Sequence, residues 1–388
     1  NEKQDPITVD WRAPISESFY RATGRHDMGL TRRRHFASRG KKLLGIEDEF
    51  FGDDIIDDSA TPYFKGRMTL ATTMDQARTG RLGDIIATIQ GEQDEIIRAP
   101  LPGVLTVQGG PGTGKTVVAL HRAAYLLYTH RFPLEGQGVL VVGPNKVFLT
   151  YIEQVLPSLG EAGVHLAVLA DLIPRVTVRG FDSEEVARIK GNSLMKDVLQ
   201  RAVRDRERPI RKELVVGYGL QNLRLRVEES ALIINQARRR YTNHNSARDY
   251  VRDSVFEALA ASARSGEINP TKLKNDLKDT LEIRETLDWM WPSLTAEHFL
   301  HDLYGSKALL RRAGTQSFTE EEILLLHRER TEHASKVLWT EHDAPVLDEA
   351  QAILGPRSSF KEEETIRTFG HIVVDEAQDL SPMQLRML

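Results

Sequence analysis

The chain has 388 residues, 40% hydrophobic and 28% charged, with a formal net charge of −4. That is enough for two or three domains, and no global positive field draws it onto nucleic acid. The absence of cysteine excludes disulfides, thiolate zinc sites and a cysteine nucleophile. No apolar run reaches the roughly 18 residues of a membrane span and no signal peptide opens the chain, so the expectation is a cytoplasmic protein without a membrane segment.

Residues 1–75 read as a small strand-rich segment. Pro6-Ile7-Thr8-Val9-Asp10-Trp11 has the makings of a strand, with a turn at Arg12-Ala13-Pro14. Arg32 to Ile46 reads as a hairpin around Ser38-Arg39-Gly40. The run Arg32-Arg33-Arg34 fits a phosphate contact or a solvated, acid-paired strand edge. Glu47 to Asp58 is acidic with apolar inserts and reads as a loop or a partner-binding segment.

Residues 76–170 carry the first strong motif. Leu82 to Ile89 and Gln90 to Ile97 suggest a helix ending near Pro100. Gln93, within it, could read the edges of a purine with its amide, or be an ordinary solvated glutamine. Val104-Leu105-Thr106-Val107 predicts a short buried strand. Gly109-Gly110-Pro111-Gly112-Thr113-Gly114-Lys115-Thr116 follows and fits the P-loop pattern G-x-x-x-x-G-K-[ST]. Its glycines let successive N–H groups turn around a phosphate, and the helix predicted from Val117 to Leu127 points its positive end at the same place. Lys115 would reach the β- and γ-phosphates, and the Thr116 hydroxyl would ligate Mg²⁺. Gly138 to Lys146 predicts a second buried strand and turn, followed by helical spacing from Phe148 to Val155. Alternating strand and helix predicts an α/β fold with a doubly wound parallel sheet. Asn145 and Lys146 sit where a loop could meet a nucleic-acid backbone, or where Asn145 caps the next helix.

The pattern changes over residues 171–365. Helices are predicted from Glu228 to Tyr241, Ser246 to Arg264 and Glu320 to Arg330, and a strand pair at Glu213–Val216 and Leu223–Val227 around Gly217-Tyr218-Gly219. Arg201, Arg204, Arg206, Arg208, Arg211 and Lys212 form one basic group, and Arg238, Arg239, Arg240, Arg248 and Arg252 another. Both are interleaved with acids, as solvated helix faces are, although nucleic acid or an acidic protein surface would also suit them. Leu287, Trp289, Met290, Trp291, Leu294, Phe299, Leu300, Leu303 and Tyr304 read as core.

Two copies of Asp-Glu-Ala-Gln compete for the carboxylate that a P-loop requires. Asp348 follows an N-cap at Asp343 and precedes a helix stop at Gly355-Pro356, with Val346, Leu347, Ala350, Ile353 and Leu354 on one apolar face; this copy reads as structural. Asp375 follows His371-Ile372-Val373-Val374, which places it at the carboxyl end of a buried parallel strand, where such sheets bind ligands. Asp375 is therefore expected to hold Mg²⁺, and Glu376 to act as the base that orients the attacking water. The block at 171–365 then leaves the sheet and returns to it at 366–388, as an inserted domain does. Asn1 is not an initiator residue, and Ser381-Pro382-Met383-Gln384 announces a helix with only four residues after it, so the chain reads as a fragment.

These motifs support a resemblance. Gln93, the 109–116 loop, Gly143-Pro144-Asn145-Lys146 and Asp375-Glu376-Ala377-Gln378-Asp379 come in the order and spacing of superfamily 1 helicases, and Leu120 to Leu126 resembles the UvrD/Rep branch. Val9 to Pro14 with Phe19 to Thr23, Thr88 to Gln93, Val107 to Thr116, Trp291-Pro292 and Trp339-Thr340 are closer to HelD, a family of helicase-like factors that bind bacterial RNA polymerase. The resemblance runs over essentially the whole chain. It implies a RecA-like P-loop domain that binds and hydrolyses ATP with Mg²⁺, with Gln378 added to the nucleotide-binding residues. It also implies an insert that opens the polymerase clamp and releases the enzyme from DNA or RNA. A UvrD/Rep-type DNA translocase, and an interaction protein merely gated by nucleotide, are the alternatives. The second RecA-like domain of such proteins is absent from this chain, and with it the arginines, worth about 10³–10⁵ in rate, that reach the γ-phosphate. Weak ATP binding and negligible turnover are therefore expected of it.

Overall fold

The computed structural model describes residues 8–23, 26–39, 42–51, 91–130, 134, 137–155, 164–173, 176–264, 266–357 and 368–388. The chain divides into two compact units. One comprises residues 1–167 with 368–375, and the other 168–367 with 376–388.

The first unit begins with a turn at Trp11–Ala13, one turn of 3-10 helix at Pro14–Ser16 and a short helix α1 (Glu17–Arg21). The strand expected at 6–11 does not form over its described part, residues 8–11, because the Asp10 carboxylate accepts the Arg12 N–H at 2.9 Å and closes a side-chain turn instead. Residues 6 and 7 lie outside the described part. The hairpin is present as β1 (Arg32–Arg39) and β2 (Lys42–Phe50), in antiparallel register Arg34↔Asp48 and Arg33↔Glu49. That register answers the arginine question: Arg33 bonds Glu49 and Arg34 bonds Asp48 across the ladder. Of the acidic stretch, residues 47–50 complete β2, while 52–58 lie outside the described residues.

Helix α2 (Gly91–Arg98) ends where Pro100 predicts, and 82–90 lie outside the described residues. Helix α3 (Lys115–Thr129) starts at Lys115, directly after the glycine-rich loop. Strand β3 (Val139–Val142) is buried along its whole length, as a central parallel strand must be. Helix α4 (Lys146–Val155) and strand β4 (Val164–Ala167) follow.

The second unit is mainly helical. Its elements are β5 (Val178–Gly180), α5 (Glu184–Gly191), α6 (Met195–Arg204), β6 (Leu214–Tyr218), β7 (Gln221–Leu225), α7 (Val227–Arg240), α8 (His244–Ala261), α9 (Pro270–Leu277), α10 (Leu281–Met290), α11 (Ala296–Tyr304), α12 (Lys307–Gly314), α13 (Glu320–Leu325), β8 (Trp339–Thr340) and α14 (Ala344–Leu354). The β6–β7 turn falls at Gly219-Leu220, two residues later than predicted, because Gly219 adopts φ +60° and carries the reversal. The helix expected to run to Arg330 stops at Leu325. Its arginines serve elsewhere: Arg330 bonds Asp302 and Arg328 reaches Asp343.

One core joins β6, β7 and α7–α10 through Val216, Leu225, Ile234, Val255, Phe256 and Trp291. The predicted aromatics are buried, apart from Trp289, which lies half-exposed between the guanidinium groups of Arg208 and Arg211. A buried ion cluster ties β5, α5, β8 and α14 together. Lys190 meets Asp182 and Asp343, each at 2.7 Å, and Arg328 meets Asp343 at 2.8 Å. The basic groups are largely engaged: Arg238 with Glu207, Arg248 with Asp288, Arg252 with Asp249, and Arg206 with Asp302.

The chain returns as β9 (His371–Val374) and ends in α15 (Pro382–Met387), whose capping box at Ser381 and Gln384 forms as read. Among the described residues the sheet of the first unit has parallel order β4-β3-β9, with Val142 opposite Val374. Val373, Val139, Val141, Ile152, Leu120 and Leu126 pack into its core. The mixed α/β class is as predicted. The strand expected at Val104–Val107 does not form: among the described residues the segment joins no ladder, and Val104 is 97% exposed.

Candidate nucleotide site

The loop 109–116 joins no helix or strand until Lys115 begins α3. Gly112 (φ +76°) and Gly114 (φ +86°) hold left-handed backbone that a side chain would strain. Gly109 has a different constraint, since a Cβ there would stand 2.7 Å from the Thr113 hydroxyl. That hydroxyl donates to the Gly110 carbonyl at 2.9 Å. The Lys115 ammonium donates to the carbonyls of Gly109 (2.9 Å) and Gly110 (3.0 Å). An ammonium has three donors; two strap the loop and one is left for a phosphate oxygen. With the carbonyls of the loop's first two residues turned to Lys115, the amides at the start of α3 can serve an anion.

Asp375 continues β9, its N–H donating to the Val142 carbonyl at 3.1 Å. Its Oδ2 accepts the Thr116 hydroxyl at 2.9 Å, across 259 residues of sequence. The two residues predicted to share Mg²⁺ are thus in direct contact. The donor set fits that ion: one hydroxyl and one carboxylate leave most positions to phosphate oxygens and water, as Mg²⁺ prefers. Among the described residues no group of three or more His, Cys, Asp or Glu side chains could hold a metal by itself.

The remaining predicted residues fall as follows. Gln93, on the first turn of α2, donates its amide to the Thr113 carbonyl at 3.2 Å, and a Cβ at Gly114 would meet the same amide at 3.2 Å. It therefore touches the loop itself. Pro111 sits at the exposed tip of the loop. Glu376 takes φ +52°, left-handed backbone unusual for a residue with a side chain, where the chain turns from β9 into a 3-10 turn at Ala377–Asp379. Its carboxylate accepts the amide of Gln378; both belong to the stretch counted with the second unit. Asn145 accepts the Phe148 N–H at 2.9 Å, which is the capping alternative.

Asp348, the rejected copy, lies inside α14 next to buried Val346, Leu347, Ala350 and Leu354. Burial, and secondarily Glu349, raise its carboxyl to about 6.

Sequence reasoning missed the groups that fix this site from behind. Arg122 on α3 is buried and donates to the carbonyls of Ile96, Ile97, Ala99 and Pro100, closing the C-terminal end of α2. Burial lowers its ordinary pKa and also that of neighbouring His121, whose Nδ1 bonds the Val117 carbonyl. The available signal was the pair His121-Arg122 in the middle of an apolar helix.

Comparison with known proteins adds one match: residues 1–67 fit the family described as DNA helicase IV HelD, N-terminal domain. The N-terminal segment is thus similar to that of a helicase-like factor. No curated protein matches the chain. No helix among the described residues is long and apolar enough to cross a membrane.

Proposed function

We propose that the chain is the nucleotide-binding part of a HelD-like factor that binds ATP·Mg²⁺ at residues 109–116, acts on bacterial RNA polymerase by opening its clamp, and helps release it from nucleic acid. The observation that carries the nucleotide reading is the 2.9 Å contact between Thr116 and Asp375, which brings loop and strand carboxylate to one point. Lys115 would neutralise the β- and γ-phosphates, Thr116 and Asp375 would hold Mg²⁺, and Glu376 would orient water. The polymerase reading is supported by the motifs that resemble HelD and by the match of residues 1–67. It assigns the mainly helical second unit to the clamp.

The test has two arms. Titration of a fluorescent ATP analogue with Mg²⁺ should give saturable binding that Lys115→Ala abolishes; unchanged binding in that variant sinks the nucleotide reading. Purified core polymerase should be retained by the immobilised chain and lost when residues 171–365 are removed; retention by the shortened chain overturns the clamp assignment. A UvrD/Rep-type translocase would instead show ATPase strongly raised by single-stranded DNA, with steep salt dependence.

A further inference from the structure

Helix α2 carries Gln93 on its first turn and Arg98 on its last, so one short rigid element connects the loop to whatever Arg98 holds. Arg98 is almost wholly buried, with an ion pair to fully buried Asp94 at 2.9 Å and its ring neighbour Tyr125 at 5.2 Å. Its outer nitrogens donate to the carbonyl of Trp11 at 2.8 Å and to that of Arg12 at 3.5 Å. Those carbonyls are presented by the Asp10 turn, in which Asp10 binds the Arg12 N–H, Nε and Nη2. Trp11 then packs edge-on against His121 at 5.3 Å, and Arg12 stacks over Tyr128 at 4.6 Å, both on α3. The N-terminal segment therefore grips α2 and α3 together, on elements that Arg122 already joins.

We infer that the Asp10–Arg12 turn and Arg98 are positioning residues for the nucleotide loop, acting through α2 on the contact between Gln93 and Thr113. This rests on the nucleotide reading above and adds to it a role for the N-terminal segment. A pull on that segment is then felt at the P-loop, and nucleotide at the P-loop stiffens the N-terminal turn.

A double-mutant cycle on the whole 388-residue chain tests it, with Kd for ATP·Mg²⁺ read by competition against a fluorescent ADP analogue and Tm read separately. Arg98→Gln and Gln93→Ala should each weaken ATP by about 3- to 10-fold, the worth of one hydrogen bond. The double variant should be no weaker than Gln93→Ala alone, because both act through one contact. Should Arg98→Gln fail to fold, exposed Asp10 gives the same cycle: Asp10→Ala weakens ATP, and Asp10→Asn, which keeps the acceptor for the Arg12 N–H, restores it. Double variants that lose the product of the single losses overturn the inference while leaving nucleotide binding in place. A parent chain that binds no nucleotide overturns the nucleotide reading itself.

Discussion

Replacing Asp348 with asparagine should stabilise the second unit, by an amount set by pH. Asp348 sits on α14 with no hydrogen-bond partner among the described residues, and its neighbour Glu349 is engaged by Arg386. Burial moves its carboxyl from the ordinary 3.8 to about 6, which at pH above 7 costs the folded state about 3 kcal/mol. The sign follows from proton uptake. Between the two values the folded chain binds a proton more tightly than the unfolded chain, so this carboxyl's share of stability is present below about pH 4 and lost as pH rises through 6. Asparagine is neutral throughout. The variant should therefore match the parent at pH 4, gain steadily from there to pH 7, and level off at about 3 kcal/mol. Urea unfolding at pH 4 and pH 8 followed by fluorescence measures this well, since three of the four tryptophans, Trp289, Trp291 and Trp339, lie in the same unit. A pH-independent difference, or a variant weaker than the parent at pH 8, would refute the reasoning. Nucleotide affinity should not move, which separates this Asp-Glu-Ala-Gln copy from the one at 375.

Other substitutions probe the site and its supports. Asp375→Asn should leave Tm within a few degrees yet remove the Mg²⁺ dependence of nucleotide binding, read by titration with and without chelator. Gly114→Ala forces a side chain into φ +86° and toward the Gln93 amide; it should cost about 1–2 kcal/mol of stability by thermal unfolding and weaken ATP as well. Lys190→Met leaves the two buried carboxylates of Asp182 and Asp343 to share Arg328, so a loss of about 3–5 kcal/mol is expected by urea unfolding. That loss should shrink at acid pH as Asp343, whose carboxyl burial pushes up but Lys190 and Arg328 hold below its ordinary value in the parent, takes up a proton.

Much of the site was legible because its signals are local. Glycines at fixed offsets, a lysine opening an apolar helix, and β-branched runs before Gly143 and Asp375 each depend on neighbours a few residues away. Context also placed the two Asp-Glu-Ala-Gln copies, one within a helix and one at a strand end. What escaped is set by distant partners. Val104–Val107 has strand composition, but a strand exists only through its ladder, and among the described residues β9 pairs with β3 alone. Asp94 and Arg98, four apart on a helix, have the spacing of an ordinary surface pair. Only the fold reveals that they are buried and that Arg98 holds the backbone of residues 11 and 12. Arg32 to Arg34 were undecided until the hairpin register set acids opposite two of them.

The order of the strands has a consequence for how the molecule is made. β3 emerges from the ribosome long before β9, and Thr116 waits 259 residues for Asp375. At about 5–20 residues per second, that is a delay of roughly 13–50 s. During it residues 168–367 of the second unit can fold, while one edge of β3 waits for β9. Assembly of the loop with its carboxylate is then a late event in synthesis, and a nascent chain that aggregates should do so through that waiting edge.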